Sequence, residues 1–116
     1  MAVHAPGWRP VLQYPVRAPA GPGAEPVTLD MVERRLRSLA HPVRLRLVRT
    51  LSRDSHTTTE LAHAWNLTPP EVSRHLAVLH RAGLVSGERR GRYVHYAADL
   101  PVLAALGADL LATVLR

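Results

Sequence analysis

The stretch TTTELAHAWNLTPPEVSRHLAVLHRAG, residues 57–83, decides the fold. It carries one pattern twice. Thr57 stands three residues before Glu60, and Thr68 three residues before Glu71, each pair leading into an apolar run. In such a capping box the hydroxyl and the carboxylate each accept an orphan N–H at a helix start. Leu61, Ala64 and Trp65 follow the first box; Val72, Leu76 and Leu79 follow the second at helical spacing. Pro69 occupies a first helical position, where its missing donor costs nothing. The pattern predicts a short helix over about 57–65 and a longer one over about 69–82. They are joined by Trp65-Asn66-Leu67-Thr68, in which Asn66 tolerates the left-handed backbone of a tight turn. Gly83 is suited to end the second helix.

Downstream, Leu84 and Val85 precede a turn-rich centre, Ser86-Gly87-Glu88-Arg89-Arg90-Gly91-Arg92, and then Tyr93-Val94-His95-Tyr96. Two short strands around an Arg/Gly tip predict a β-hairpin. Val94 and Tyr96 share one face, Tyr93 and His95 the other. A last helix is expected from Asp99, an N-cap, with Pro101 just inside. Its stripe is Leu103, Leu106, Leu110 and Val114, widened by Leu100, Leu111 and Leu115. That stripe is left for a partner chain to cover.

Upstream, Thr28 caps a helix over about 28–39 with Leu29, Val32, Leu36 and Leu39 on one face, while Arg34, Arg35 and Arg37 fall off it. Pro42 opens another helix, to Leu51, with Leu45, Val48 and Leu51 on its apolar face. Six of the ten prolines lie in residues 1–26, so residues 1–27 are expected to be a Pro-rich arm or linker and 28–116 the folded domain. Within the arm, Trp8, Val11, Leu12, Tyr14 and Val16 could dock on the domain or a partner, or belong to a disordered tail. The fold class expected is mainly α with a small β-hairpin, in the order α-α-α-α-β-β-α: a winged helix-turn-helix.

The second helix of such a pair enters the DNA major groove, its N-terminal residues toward base edges. Opposite Val72, Leu76 and Leu79 lie Pro70, Glu71, Ser73, Arg74 and His75. Arg74 is the candidate for guanine O6 and N7. Ser73 and His75 are candidate donors to phosphates or bases. Thr68, with the adjacent helix N-terminus, is a candidate phosphate site. Glu71 would repel phosphate and is assigned to capping or, as the second choice, to cytosine N4. Arg89, Arg90 and Arg92 at the hairpin tip suit backbone or minor-groove contact.

Composition agrees. The net charge is +6, and all 15 cations are arginine. A basic domain of this size favours a polyanionic partner. Aromatic residues make up 4% and there is no Phe, so the core is aliphatic and small, and a dimer would reinforce it. The absence of Cys excludes disulfides, thiolate metal sites and thiol redox sensing. No run reaches the roughly 18 apolar residues of a membrane span, and no signal-peptide core follows Met1, so a cytoplasmic protein is expected.

Residues 36–96 resemble the ArsR/SmtB family of winged-helix regulators. The resemblance rests on Leu39-Ala40-His41-Pro42-Val43-Arg44-Leu45-Arg46-Leu47, Glu60-Leu61-Ala62, Val72-Ser73-Arg74-His75-Leu76-Ala77-Val78-Leu79, Ala82-Gly83-Leu84-Val85 and Gly91-Arg92-Tyr93-Val94-His95-Tyr96. It implies a homodimer joined by the first and last helices, here through Leu29, Val32, Leu36, Leu103, Leu106, Leu110 and Val114. It also implies a repressor released from DNA by a metal ion or another signal. The arrangement is similar, too, to the C-terminal module of longer actinobacterial regulators, with residues 1–27 as the remnant of a connection.

Metal sensing is not carried over. Such members use Cys pairs, or Asp and His on the last helix. This chain has no Cys, no His after His95, and only Asp99 and Asp109 there, almost three turns apart. The seven His are scattered, whereas zinc needs three or four converging ligands. No Ser or Thr has an evident base partner and no carboxylates pair on one face, so no cofactor and no catalytic site are expected. The partners expected are double-stranded DNA, a second copy of the chain, and an effector or partner protein of unidentified chemistry. The alternative is a winged-helix protein–protein interaction module.

Overall fold

A computed structural model describes residues 26–116. Residues 1–25 of the expected N-terminal arm, including Trp8 to Val16, lie outside them. Five helices and one hairpin follow in the order α1 (Leu29–Leu39), α2 (Pro42–Leu51), α3 (Thr58–Trp65), α4 (Pro69–Arg81), β1 (Val85–Arg90), β2 (Tyr93–Ala98) and α5 (Leu100–Val114). This is the winged helix-turn-helix order read from the sequence.

The helix starts are set by their caps. Thr28 Oγ1 accepts from Met31 N–H, and Asp99 Oδ1 from Val102 N–H, each at 3.2 Å. His41 caps α2 with its ring: Nδ1 accepts from Val43 N–H at 3.1 Å. Both Thr/Glu boxes form completely. Asn66 takes the left-handed conformation, φ 55° and ψ 45°, and turns the chain between α3 and α4. Gly83, φ +79°, ends α4.

The core joins Leu47, Val48 and Leu51 of α2, Leu61 and Ala62 of α3, Val72, Leu76 and Leu79 of α4, then Ala82, Leu84, Val85 and Val102. Three sequence expectations change here. Leu45 is 53% exposed, and Leu47 takes its place inside. The buried stripe of α2 therefore runs through Leu47, Val48 and Leu51, one helical turn wide, and the alternation of Leu and Arg disguised it. In α1 the buried residues are Val32, Arg35 and Ser38. Val32, 1% exposed, therefore packs inside its own protomer and backs the expected dimer face without lying on it. Arg35 is 7% exposed, although helical spacing had placed it off the apolar stripe.

The hairpin is longer than its sequence suggested. β1 pairs antiparallel with β2 from Val85↔Ala98 to Arg90↔Tyr93, leaving only Gly91 and Arg92 as the turn. Ser86 to Arg90, read as turn-rich, is strand. Gly91, φ +64°, is the first central residue, where a two-residue type II′ turn places glycine. Gly87 is needed for space: a Cβ there would stand 3.0 Å from Val94 Cγ1 and 3.1 Å from the Tyr96 ring. His56, before α3, forms a bridge to Tyr96 and anchors the wing base to the helix-turn-helix. No helix among the described residues is long and apolar enough to cross a membrane.

Candidate nucleic-acid interface

Helix α4 buries Val72, Leu76 and Leu79 and turns Pro70, Ser73 and Arg74 to solvent. On its wing side, Ser73, Ala77 and His80 line a hollow of about 380 Å³ with Gly87, Val94 and Tyr96 of the hairpin. Helix and wing thus form one continuous surface. Arg74 carries no ion pair among the described residues.

The start of α4 corrects one expectation. Thr68 N–H donates to Glu71 Oε1 at 2.9 Å, Glu71 N–H to Thr68 Oγ1 at 3.2 Å, and Val72 N–H to Thr68 O at 3.1 Å. Pro69 and Pro70 have no N–H at all. Every amide that could hold a phosphate here is used or missing, so only the Thr68 hydroxyl proton and the residual helix dipole remain. The carboxyl of Glu71 is held below its ordinary value chiefly by the Thr68 backbone N–H, which fixes it in the cap. At α3, by contrast, the two residues inside the box are Thr58 and Thr59, and neither is proline.

His75 is half-buried. Its Nδ1 lies 3.3 Å from Arg44 Nη1, and its ring centroid 4.8 Å from that of His41. A guanidinium only donates, so Nδ1 is the acceptor and Nε2 carries the proton of a neutral ring. Burial, then the His41 and Arg44 charges, hold the His75 pKa below its ordinary value. Arg44 is itself fixed by Nε donating to Ser38 O at 2.6 Å. His75 is therefore tied to α2 through one nitrogen, with Nε2–H as its remaining donor.

The wing arginines differ from one another. Arg90 Nε donates to Glu88 Oε1 at 2.9 Å on the same strand face, a contact the sequence reading passed over. Arg89 and Arg92 are exposed with no ion pair among the described residues. Sequence reasoning also missed the far flank of α4, where Arg34, Arg37, Arg44 and Arg81 surround a hollow of about 300 Å³ with Ser38 and Val78. Arg81 follows Arg74 by seven residues, two helical turns, and that spacing could have revealed it.

The expected dimer residues divide as well. Leu29, Leu36 and Val114 are exposed, Leu106 and Leu110 half-buried. Leu110 meets Leu29, Val32 and Leu36 at an apolar hollow between α5 and α1. Leu103 packs partly against the protomer core. No three His, Asp or Glu side chains among the described residues come close enough to hold a metal.

Comparison with known proteins follows this geometry. The family model described as "Helix-turn-helix domain" matches residues 39–88. An HTH-type transcriptional repressor, SmtB of Mycobacterium tuberculosis, is 40% identical over 94 residues, spanning 81% of this chain and 68% of that protein. The arsenic resistance transcriptional regulator ArsR1 of Pseudomonas putida is 37% identical over 83 residues, 70% of this chain and 62% of its own. Among solved structures, the homodimeric winged helix-turn-helix DNA-binding domain Mb0332 of Mycobacterium bovis is similar with a TM-score of 0.61 and 28% identity, covering 75% of this chain and 83% of that one. Together with the capped helix pair and its hairpin, these likenesses place the chain in the ArsR/SmtB family of DNA-binding winged helix-turn-helix transcriptional regulators.

Proposed function

We propose that the chain is a sequence-specific repressor that binds a pseudo-palindromic operator in double-stranded DNA as a homodimer. The observation that carries this is the exposed Arg74, without an ion pair among the described residues, on the face of α4 opposite Val72, Leu76 and Leu79, flanked by the arginine-bearing wing. In this reading Arg74 takes guanine O6 and N7, with Ser73 beside it and Pro70 in apolar contact with bases. Thr68 donates its hydroxyl proton to a phosphate, and His75 offers Nε2–H. Arg89 and Arg92 hold the backbone beyond the wing, with Arg90 sharing its charge with Glu88. The second copy covers Leu29, Leu36, Leu106, Leu110 and Val114, with Val32 and Leu103 packed behind them. Two α4 helices would then stand about one duplex turn apart, roughly 34 Å. The homodimeric solved relative supports that pairing.

Titrating salt against binding to a short duplex tests the reading. Several phosphate contacts give a log–log slope of about −0.9 for each contact. A flat dependence, or no binding at low salt, would point to a protein–protein module instead. Light scattering of Leu110→Glu addresses the dimer; an unchanged dimer mass excludes this face.

A further inference from the structure

A second cationic surface lies away from the α4 face. Arg46 and Arg49 stand one helical turn apart on α2, and Arg53 follows two residues beyond its end, with Thr50 among them. With His56 and Trp65 they line an open hollow of about 770 Å³. None of these lining residues is acidic. No carboxylate is paired with the three arginines among the described residues. The nearby Asp54 carboxylate instead accepts from Ser55 N–H at 2.9 Å.

Three like charges lining one hollow repel one another, and an anion between them removes that repulsion. The hollow also has a flat wall. The guanidinium carbon of Arg46 lies 5.8 Å from the centroid of the Trp65 ring, within cation–π range. Trp65 nonetheless keeps 36% of its surface exposed, so part of its side chain is open to a ligand. The size falls within the roughly 300–1,000 Å³ of small-molecule sites. A concave, tryptophan-walled cavity fits a compact ligand better than the convex backbone of a duplex.

We propose that this hollow binds a small aromatic anion, a phosphate or carboxylate borne on a planar ring. Arg46, Arg49 and Arg53 hold the anionic group by charge-assisted, bidentate hydrogen bonds, and Trp65 stacks on the ring. The proposal does not depend on the DNA reading, because binding is measured on the protein alone.

The test is calorimetric titration of the full chain with 1-naphthyl phosphate and, separately, inorganic phosphate. We expect saturable binding of 1-naphthyl phosphate at one per chain, with Kd below about 1 mM, and weaker binding of phosphate. Arg49→Ala should weaken both about tenfold, a loss of one charge-assisted contact. Trp65→Leu should weaken naphthyl phosphate alone, and far-ultraviolet circular dichroism should show both variants folded. Arg49→Lys keeps the charge without the fork and should fall between. No saturable binding, or binding that none of these substitutions changes, overturns the proposal. So does loss of duplex affinity in Arg46→Ala and Arg49→Ala without any naphthyl phosphate binding, which would assign these arginines to the DNA backbone.

Discussion

Arg35 and Arg74 are the same side chain in opposite situations. Arg35 lies buried where α1, α5 and the end of α4 meet. Its Nε donates to Ala82 O at 3.0 Å, and its Nη1 stands 3.8 Å from the Asp109 carboxylate. Nη1 itself is buried and makes no hydrogen bond. Arg74 is exposed and carries no ion pair among the described residues. A buried guanidinium is retained only when neighbours compensate its desolvation, and here they are the carbonyl at the end of α4 and a carboxylate of α5. The seam around Arg35 holds the end of α4 against the α1/α5 side. The surface around Arg74 leaves the start of α4 free to read. An arginine-rich composition reports neither role alone.

The largest expected effect separates the two. Arg35→Ala should lower stability by about 3 kcal/mol, because it leaves the Ala82 carbonyl and Asp109 with less compensation. That corresponds to a fall in Tm of roughly 10–20 °C for a domain of this size, measurable by thermal circular dichroism. A loss as small as that of an exposed arginine would remove the distinction. Arg74→Ala should leave Tm unchanged and cost about 2 kcal/mol on the operator, roughly thirtyfold, with relaxed sequence preference. Retention of wild-type specificity would show that Arg74 does not read bases.

A smaller contrast lies within the wing. Arg89→Ala should reduce the salt slope of duplex binding by about 0.9. Arg90→Ala should reduce it less, since Glu88 already shares that charge; equal changes would show that the pair opens on DNA.

The smallest effect is in pH. His75 has a folded pKa below its ordinary value of 6.5, so the unfolded chain takes up the proton first as the pH falls. Its contribution to stability is complete above that value and declines as the pH drops through it. Urea midpoints at pH 7.5 and 5.5 should therefore differ more for wild type than for His75→Gln, whose amide can still accept from Arg44. An equal difference would show that the Arg44 contact does not keep His75 neutral.

Much of this was legible in the chain. Each helix start carried a local chemical signature, and Thr57/Glu60, Thr68/Glu71, Asn66 and Gly83 behave as read. Those interactions span three residues or fewer, or depend on a single backbone angle. The exposed side of α4 followed from Val72, Leu76 and Leu79, because helical periodicity fixes which side remains. The errors arose where a distant partner decides. Leu45 and Leu47 alternate with arginines on α2, and only the packing of β2, α1 and α4 against it selects which leucine is buried. The wing strands extend through Gly87 because Tyr96 of the opposite strand fills the missing side chain.

The sequence by itself determined the element order, the caps and the family, since these depend on neighbouring residues and on ordered motifs. The tertiary structure alone decided which arginines are ties and which are exposed without an ion pair among the described residues. It also decided that the start of α4 has no spare amide once Glu71 folds back on Thr68, that His75 leans on Arg44, and that the α2 arginines share a hollow with Trp65. The physical reason is that charge and hydrogen-bond capacity belong to a residue, whereas burial and partnership are set by distant segments, as Ala82 is 47 positions from Arg35.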